Sequence, residues 1–211
     1  MIKSKDSKTS ILYRMVVSLK GSTPAIWRSL LVPADYTLDK VAVCILTAMG
    51  WSNSHLHSFR QGQNEYLDTS EDDCMDNEDV CETLEESKYT LKDLVDNKEK
   101  IEFEYDFGDC WMHEILISEQ LIVPAGKKTS VCTGGEYACP PDDCGGIDGY
   151  YRMLDILSDP EHEEFEEMSV WLGDKFDMFS LNTSKINKSL EKFNKNPAVA
   201  GNESYWTGNI I

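Results

Sequence analysis

The sequence predicts an α+β fold in which an antiparallel or mixed sheet is flanked by helices and the C-terminal third is mostly helical. Three observations favour this class. A strand–turn–strand pattern lies near the N-terminus, a second and cleaner one lies near residue 105, and apolar residues recur at helical spacing after residue 150. At 211 residues the chain is long enough to bury a sizeable core.

Local residue patterns predict the first strands and the first helix. Ile11–Leu19 and Ile26–Val32 are rich in β-branched and aromatic residues and flank a Gly-Ser-Thr-Pro turn, so we expect a hairpin. Apolar residues at helical spacing predict a helix over Leu38–Met49, with Thr37 as its N-cap and Gly50 as its C-cap.

A pair of histidines follows this helix. The segment His55–Arg60 is predicted to be a strand, which would place His55 and His57 on the same face because the side-chain period is two. Such a pair can bind a metal or take part in catalysis. It can equally form hydrogen bonds beside the neighbouring aromatic ring of Phe59, and the sequence leaves both interpretations open.

The second hairpin carries a compact group of polar residues. Its predicted strands, Ile101–Phe107 and Trp111–Ile117, alternate cleanly between apolar and polar positions. Asp106, Asp109 and His113 lie close together at the turn, where they could bind a metal or act as an acid–base pair. Alternatively, the aspartates accept hydrogen bonds from the turn backbone while His113 makes a local hydrogen bond.

The remaining chain is predicted to be mainly helical. Helices are expected at Thr90–Val95, Tyr150–Leu157, Pro160–Leu172 and Leu181–Phe193. The predicted organisation is a flexible leader at residues 1–10, a single domain at residues 11–193 and a tail at residues 194–211. Tyr205, Trp206, Ile210 and Ile211 suggest that the tail docks on the domain.

The charge of the chain is strongly negative and unevenly distributed. The formal net charge is −18, and the segment Glu65–Glu86 holds eleven acidic residues with no Lys or Arg. This segment is predicted to be a solvated, partly disordered insertion, with Cys74 and Cys81 as exposed free thiols. Such a charge argues against nucleic acid and anionic membranes as partners, which leaves an unknown protein or small molecule.

The cysteine content and the lack of targeting signals predict a cytoplasmic protein. The N-terminal residues are polar and show no signal peptide, and no apolar run is long enough to span a membrane. Seven cysteines cannot all pair within one chain, so free or metal-bound thiols in a reducing compartment are the simplest expectation.

The most unusual stretch is Val131–Gly149, VCTGGEYACPPDDCGGIDG, which combines three Cys, two Pro, five Gly and three Asp. We call it the Cys/Gly segment. Its Gly and Pro content predicts a compact loop rather than a helix or central strand. Cys132, Cys139 and Cys144 would make an incomplete zinc site that needs a fourth ligand from elsewhere. Buried thiols acting as small hydrophobes, or a disulfide, are the alternatives.

Several stretches in order resemble one family, the plasmid pRiA4b ORF-3-like proteins, whose members also circulate as transposon resolvases of the TnpR type. The matching pieces are LKGSTPAIWRSLLVPADYTLDKVAVCILTAMGW (Leu19–Trp51), SHLHSF (Ser54–Phe59), EYDFGDCWMHEI (Glu104–Ile115), CTGGEYACPPDDCGGIDGY (Cys132–Tyr150) and WLGDKFD (Trp171–Asp177). The resemblance implies an α+β fold and brings no established activity. This chain departs from the family in having Cys110 where Gly is usual, and in a longer acidic segment.

The resemblance also implies that the polar signature positions converge on one site. These positions are His55, His57, Asp106, Asp109, His113, Cys132, Cys139, Asp143 and Cys144. One ligand set that would follow is a structural Cys₃His zinc site made by the three cysteines of the Cys/Gly segment and His113. His57 or Cys110 could replace His113 as the fourth ligand. No other cofactor is expected.

Two functions remain as hypotheses. The favoured one is a non-catalytic binding or interaction module with the Cys/Gly segment at its centre, stapled by zinc or not. The alternative is a metal-dependent hydrolase or nuclease-like enzyme, with its candidate catalytic residues being Asp106, Asp109, His113, His55 and His57. Resolvase activity is disfavoured, because four arginines and a strongly negative charge do not supply a DNA-binding face.

Overall fold

The computed structural model describes residues 9–69, 82–173, 176–202 and 205–206. Its strands are β1 (Thr9–Leu19), β2 (Trp27–Pro33), β3 (His57–Gln61), β4 (Asn64–Leu67), β5 (Glu82–Glu85), β6 (Ile101–Tyr105), β7 (Trp111–Pro124) and β8 (Val131–Glu136). Its helices are α1 (Leu38–Met49), α2 (Leu91–Asn97), α3 (Gly146–Ser158), α4 (Phe165–Leu172) and α5 (Thr183–Lys195).

The strands form one mixed sheet, in the order β5-β4-β3-β6-β7-β1-β2-β8. Every neighbouring pair is antiparallel except β4 and β5, which are parallel. The predicted α+β class with a mixed sheet and a helical C-terminal third is therefore confirmed. Both predicted hairpins are present as β1–β2 and β6–β7, because each joins two complementary strands through a short turn.

The core lies between the sheet and α1. Nine of the twelve residues of α1 are buried, and the helix packs against β2 and α5. Cys44 of this helix is fully buried. Gly50 ends α1 as predicted, with a left-handed φ of 107° that a glycine adopts without strain. Thr37 occupies the N-cap position, but its side chain makes no capping hydrogen bond.

Two predicted elements begin later than the sequence indicates. The strand expected from His55 begins at His57, so His55 lies in the bend before β3 and does not share a strand face with His57. The helix expected from Pro160 begins at Phe165. There the Asp159 carboxylate accepts a hydrogen bond from the backbone N–H of Glu161, at 3.0 Å, and this local turn competes with a helical start.

The prediction for the Cys/Gly segment is wrong at both of its ends. Val131–Glu136 pairs with β2 as the edge strand β8, and α3 begins at Gly146. An edge position tolerates the two glycines of β8, since a glycine there weakens no central pairing. The compact loop is thus limited to residues 137–145.

The acidic segment also differs from a simple solvated insertion. The ends of this segment belong to the sheet as β4 and β5, and Glu86 is buried. Its central part, with Cys74 and Cys81, lies outside the described residues, as do residues 1–8 of the predicted leader. Within the predicted tail, Tyr205 and Trp206 are buried, and the Tyr205 hydroxyl lies 2.9 Å from that of Thr47. Ile210 and Ile211 lie outside the described residues.

Among the described helices, none is both long and apolar enough to cross a membrane.

Candidate metal centre

Three segments that are distant in the sequence meet at the end of the β6–β7 hairpin. They are the chain leading into β3, the turn between β6 and β7, and the loop that precedes α3. Each contributes one side chain, and ligand atoms of His55, Asp106 and Asp143 all lie within 4.8 Å of one another. The His55 Nδ1 atom lies 3.6 Å from Asp106 Oδ2, and its Nε2 atom lies 3.3 Å from Asp143 Oδ1.

The hairpin turn sets the orientation of Asp106. One carboxylate oxygen, Oδ1, accepts hydrogen bonds from the backbone N–H groups of Gly108 and Asp109, at 2.9 and 3.3 Å. This is the turn-stabilising role that the sequence left open for Asp106. The turn uses only that oxygen, so Oδ2 remains directed at His55. Asp106 itself has a φ of 57°, a conformation that aspartate tolerates better than most residues.

A close backbone contact holds the loop before α3 against this turn. The Gly145 N–H donates a hydrogen bond to Asp109 Oδ2, at 3.1 Å. Gly146 has a φ of +67°, and a Cβ atom added to it would lie only 2.5 Å from the Asp109 carbonyl oxygen. Only glycine therefore fits at position 146, and this contact brings Asp143 to the same end of the sheet as Asp106.

The segment that carries His55 is tied to the same loop. The Trp51 indole N–H donates to the Pro140 carbonyl at 3.0 Å, and the Ser52 hydroxyl donates to Asp142 Oδ2 at 2.6 Å. At the other end of the segment, Asp106 N–H donates to the Leu56 carbonyl at 2.9 Å. His55 lies between these anchors, so its ring position is determined by contacts on both sides.

The resulting cluster has the donor types of a divalent-metal site. It offers one imidazole nitrogen and two carboxylate oxygens, which suit first-row divalent ions such as Zn²⁺ and Mn²⁺. His55 Nε2 is buried and lies 3.3 Å from an Asp143 oxygen, but the two atoms do not have hydrogen-bond geometry. The Asp143 side chain is 70% exposed, so one side of the cluster is open to solvent.

The other predicted site residues are engaged elsewhere. His57 Nε2 lies 3.2 Å from Glu86 Oε2 and pairs with that buried carboxylate. The Asp109 carboxylate accepts a hydrogen bond from the Gly145 N–H. Of the signature positions, the structure brings His55, Asp106 and Asp143 together, whereas His57 belongs to a separate pair.

His113 is fully buried in an aromatic environment. Its Nδ1 atom lies 3.2 Å from the Phe103 carbonyl, and since a carbonyl can only accept, Nδ1 carries the proton. Its ring lies 5.2 Å from Trp51 and 5.6 Å from Phe103, measured between ring centroids. Burial lowers the pKa of His113 to about 4, so the side chain is neutral at physiological pH.

The structure does not bring the predicted zinc ligands together. Within the part of the chain that it describes, the cluster of His55, Asp106 and Asp143 is the one group of three or more His, Cys, Asp or Glu side chains with mutual ligand distances. Cys132, Cys139, Cys144 and His113 do not form such a group. Cys110, the substitute ligand, is exposed, with its thiol 3.3 Å from the Phe107 carbonyl.

The cysteines have the properties of neutral thiols. The five that the structure describes are free, so the disulfide alternative is wrong for the Cys/Gly segment. Burial raises the pKa of Cys139 well above its usual range and that of Cys144 to about 12. Burial also raises the pKa of Cys132. Zinc needs thiolates, so a zinc ion on these cysteines stays a prediction without geometric support.

Two residues of this region were not predicted as site candidates. Asp143 was recognised only as a signature position of the resembling family, and the signal for it was the Asp-Asp pair that follows two prolines. Glu86, the partner of His57, was assigned to the solvated acidic segment, and nothing in its local sequence marks it as buried.

The fold and the site define an α+β protein with a mixed eight-stranded sheet and a candidate metal centre at the end of its β6–β7 hairpin. The chain belongs to the plasmid pRiA4b ORF-3-like family, whose model it matches over residues 11–185. The expectation from the sequence motifs is thereby confirmed.

Two relatives support this assignment. The uncharacterized protein y4hQ of Sinorhizobium fredii (strain NBRC 101917 / NGR234) is 30% identical over 181 residues, which cover 84% of this chain and 90% of that protein. The crystal structure of MM3350, a protein of unknown function from Methanosarcina mazei Go1, is similar with a TM-score of 0.73 and 32% identity. That similarity covers 83% of this chain and 97% of MM3350.

Replacement of Gly146 by alanine should destabilise the protein and loosen the cluster. The added Cβ would meet the Asp109 carbonyl, and the positive φ disfavours a side chain, so we expect a loss of about 2 kcal/mol or more in the free energy of unfolding. Chemical denaturation measures this loss. Gly126→Ala is the control, because nothing lies within 4 Å of its added Cβ. An equally large loss in Gly126→Ala would show that the contact with Asp109 is not the cause.

Protonation of His113 should make the protein less stable in acid. The unfolded chain takes up this proton as the pH falls through the ordinary pKa of 6.5, whereas the folded protein resists it down to about 4. The contribution of neutral His113 to the free energy of unfolding is therefore complete above pH 6.5. It falls by about 3 kcal/mol between pH 6.5 and 4, at 1.36 kcal/mol per pKa unit.

The comparison of wild type with His113→Asn isolates this effect, because an amide can still donate to the Phe103 carbonyl but does not titrate. Unfolding free energies measured from pH 4 to 7.5 should converge toward acid pH for the two proteins. A constant difference across this range would show that His113 does not titrate as described.

Proposed function

We propose that the protein is a binding module organised around a divalent-metal site formed by His55, Asp106 and Asp143. The observation that carries this proposal is the convergence of their three ligand atoms within 4.8 Å from three separate segments. A bound ion would neutralise the two carboxylates and connect the chain before β3, the β6–β7 turn and the loop before α3. The module would thus depend on metal for the order of the surface around these loops.

The donor set favours a transition-metal ion over Ca²⁺ or Mg²⁺. Ca²⁺ takes roughly six to eight oxygen ligands, and Mg²⁺ is usually held by carboxylates and water, whereas an imidazole nitrogen suits Zn²⁺ or Mn²⁺. The zinc expected from the sequence is retained in this proposal, but its ligands are His55 and two aspartates rather than the cysteines.

A metal-dependent hydrolase is the second candidate. One observation favours it: three protein ligands leave coordination positions open, and Asp143 also lines a cavity of about 300 Å³ together with Arg152, Glu164 and Trp171. A hydrolase also needs a side chain that transfers protons. His57 is paired with Glu86 and His113 is buried. Both Glu164 carboxylate oxygens accept hydrogen bonds from Arg152 Nη2, so we favour the non-catalytic module.

The chemistry of the thiols supports a cytoplasmic location. All five described cysteines are free, and free buried thiols are typical of a reducing compartment. The net charge of −18 favours a protein or small-molecule partner over nucleic acid.

Metal binding should depend on the two aspartates of the cluster. We expect about one Zn²⁺ or Mn²⁺ ion per chain, measured by isothermal titration calorimetry on protein purified without a polyhistidine tag, and a loss of about 10-fold or more in affinity in Asp106→Asn and in Asp143→Asn. Asp148→Asn is the matched control, because this exposed aspartate has the same charge and lies outside the cluster.

A further variant distinguishes the two candidate zinc sites. If Cys139→Ser loses the metal while Asp143→Asn retains it, the ion belongs to the cysteines and the proposed site is wrong. If the wild-type protein binds no metal, the proposed metal site is wrong. The wild type is also assayed for metal-dependent cleavage of a phosphodiester or ester reporter. If it shows this activity and Asp143→Asn lacks it, the protein is a hydrolase and not a non-catalytic module.

A further inference from the structure

A buried arginine on the strand next to the β8 edge of the sheet has no carboxylate partner among the residues that the structure describes. Arg28 lies on β2 and is only 2% exposed. Its Nε atom donates to the Ala48 carbonyl at 2.8 Å, and its Nη1 atom donates to the carbonyls of Trp27 and Glu136 at 2.8 and 3.0 Å. The nearby Glu136 carboxylate instead accepts from the Trp27 indole N–H, at 3.3 Å.

The neighbouring strand is built to admit this side chain. Arg28 pairs with Gly135 of β8. A Cβ atom at Gly135 would lie 2.5 Å from the Trp27 carbonyl oxygen and 2.9 Å from Arg28 Cδ, so a larger residue would displace the arginine. Gly135, the second glycine of the Cys/Gly segment, is therefore explained by the space that the Arg28 side chain needs. The guanidinium is fixed by hydrogen bonds to carbonyl groups of β2, β8 and α1.

The three carbonyls satisfy two of the guanidinium nitrogens but do not neutralise its charge. Arg28 Nη2 makes no hydrogen bond with any residue that the structure describes. Burial shifts the pKa of Arg28 downward, which reflects the cost of holding this charge away from water. Buried charges are normally paired, so the lack of a counter-charge among the described residues is the feature to be explained.

Arg28 lines a cavity of about 170 Å³ between the C-terminal end of α1 and the N-terminal end of α5. Its eleven described lining residues include two basic side chains, Arg28 and Lys185, and no acidic one. In a chain with a net charge of −18 this is a local reversal of sign. The N-terminal end of α5 adds partial positive charge, because its first N–H groups point out of the helix.

We propose that this cavity, the Arg28 pocket, binds a small organic carboxylate. The anionic group would pair with Arg28 Nη2, and the remainder of the ligand would contact the apolar lining. The apolar side chains are those of Ala48, Met49, Ala138, Leu181 and Ile186.

The size and the lining of the pocket select the ligand class. Drug-sized ligands occupy roughly 300 to 1,000 Å³, and this cavity is smaller, so a short-chain acid fits better than a nucleotide or a peptide. Inorganic phosphate is a strongly hydrated anion with no apolar part, and it would leave the apolar lining without a partner. The Arg28 pocket shares no residue with His55, Asp106 and Asp143, so this inference does not rest on the metal site.

The test is a titration of the full chain with butyrate, followed by two-dimensional ¹H–¹⁵N NMR. Butyramide is the matched neutral ligand, and inorganic phosphate is the second anion. We expect butyrate to shift saturably the signals of residues around the pocket, such as Ala48, Ala138 and Leu181, whereas butyramide should bind about 10-fold more weakly or not at all, since a charged hydrogen bond is lost. Arg28→Gln should abolish the butyrate response.

Lys185 keeps the proposal testable if Arg28→Gln does not fold. We expect Lys185→Gln to weaken butyrate binding by about 5-fold, the equivalent of one partly exposed ion pair, and Lys188→Gln on the exposed side of the same helix to leave it unchanged. Equal responses to butyrate and butyramide, or no response to butyrate, would show that Arg28 is only a structural clamp. Binding of phosphate without butyrate would overturn the ligand class.

Discussion

The contact between Gly146 and the Asp109 backbone is the constraint on which the candidate metal centre depends. A Cβ atom at position 146 would lie 2.5 Å from the Asp109 carbonyl oxygen, so the two segments approach too closely for any residue but glycine. Because Asp106 and Asp143 are on either side of this contact, their separation follows from it. His55 joins them through the hydrogen bond from Trp51 to Pro140, which ties its segment to the same loop. Three segments that lie outside the strands and helices are thus held together by backbone and side-chain hydrogen bonds.

Charge in this protein has to be considered locally. The net charge of −18 describes the molecule as a whole, and much of it comes from one acidic segment. The two sites proposed for ligands differ in sign: carboxylates dominate the cluster at His55, whereas Arg28 and Lys185 define the pocket between α1 and α5. Each site would attract a ligand of opposite charge over a short distance, since salt screens exposed charges beyond about 10 Å. Net charge therefore limits the classes of partner without identifying the ligand of either site.

Much of the fold could be predicted from the sequence because it depends on local patterns. The β1–β2 and β6–β7 hairpins and the central helix α1 follow from alternation, turn residues and helical spacing, all of which lie within one element. The start of α4 was wrong because the Asp159 side chain forms a turn that competes with the helix. The edge strand β8 was missed because its pairing with β2 is a long-range contact, and glycines near a cysteine do not indicate a strand.

For the site, the sequence by itself determined which chemical groups are available, and the family motifs indicated that they converge. It placed His55, His57, Asp106, Asp109 and His113 among the candidates, but it could not rank them. Only the tertiary structure decided that His57 pairs with Glu86, that His113 is buried, and that Asp143 completes the cluster. The physical reason is that distances between side chains on separate segments depend on loop packing and strand register. Local sequence patterns do not encode either of these.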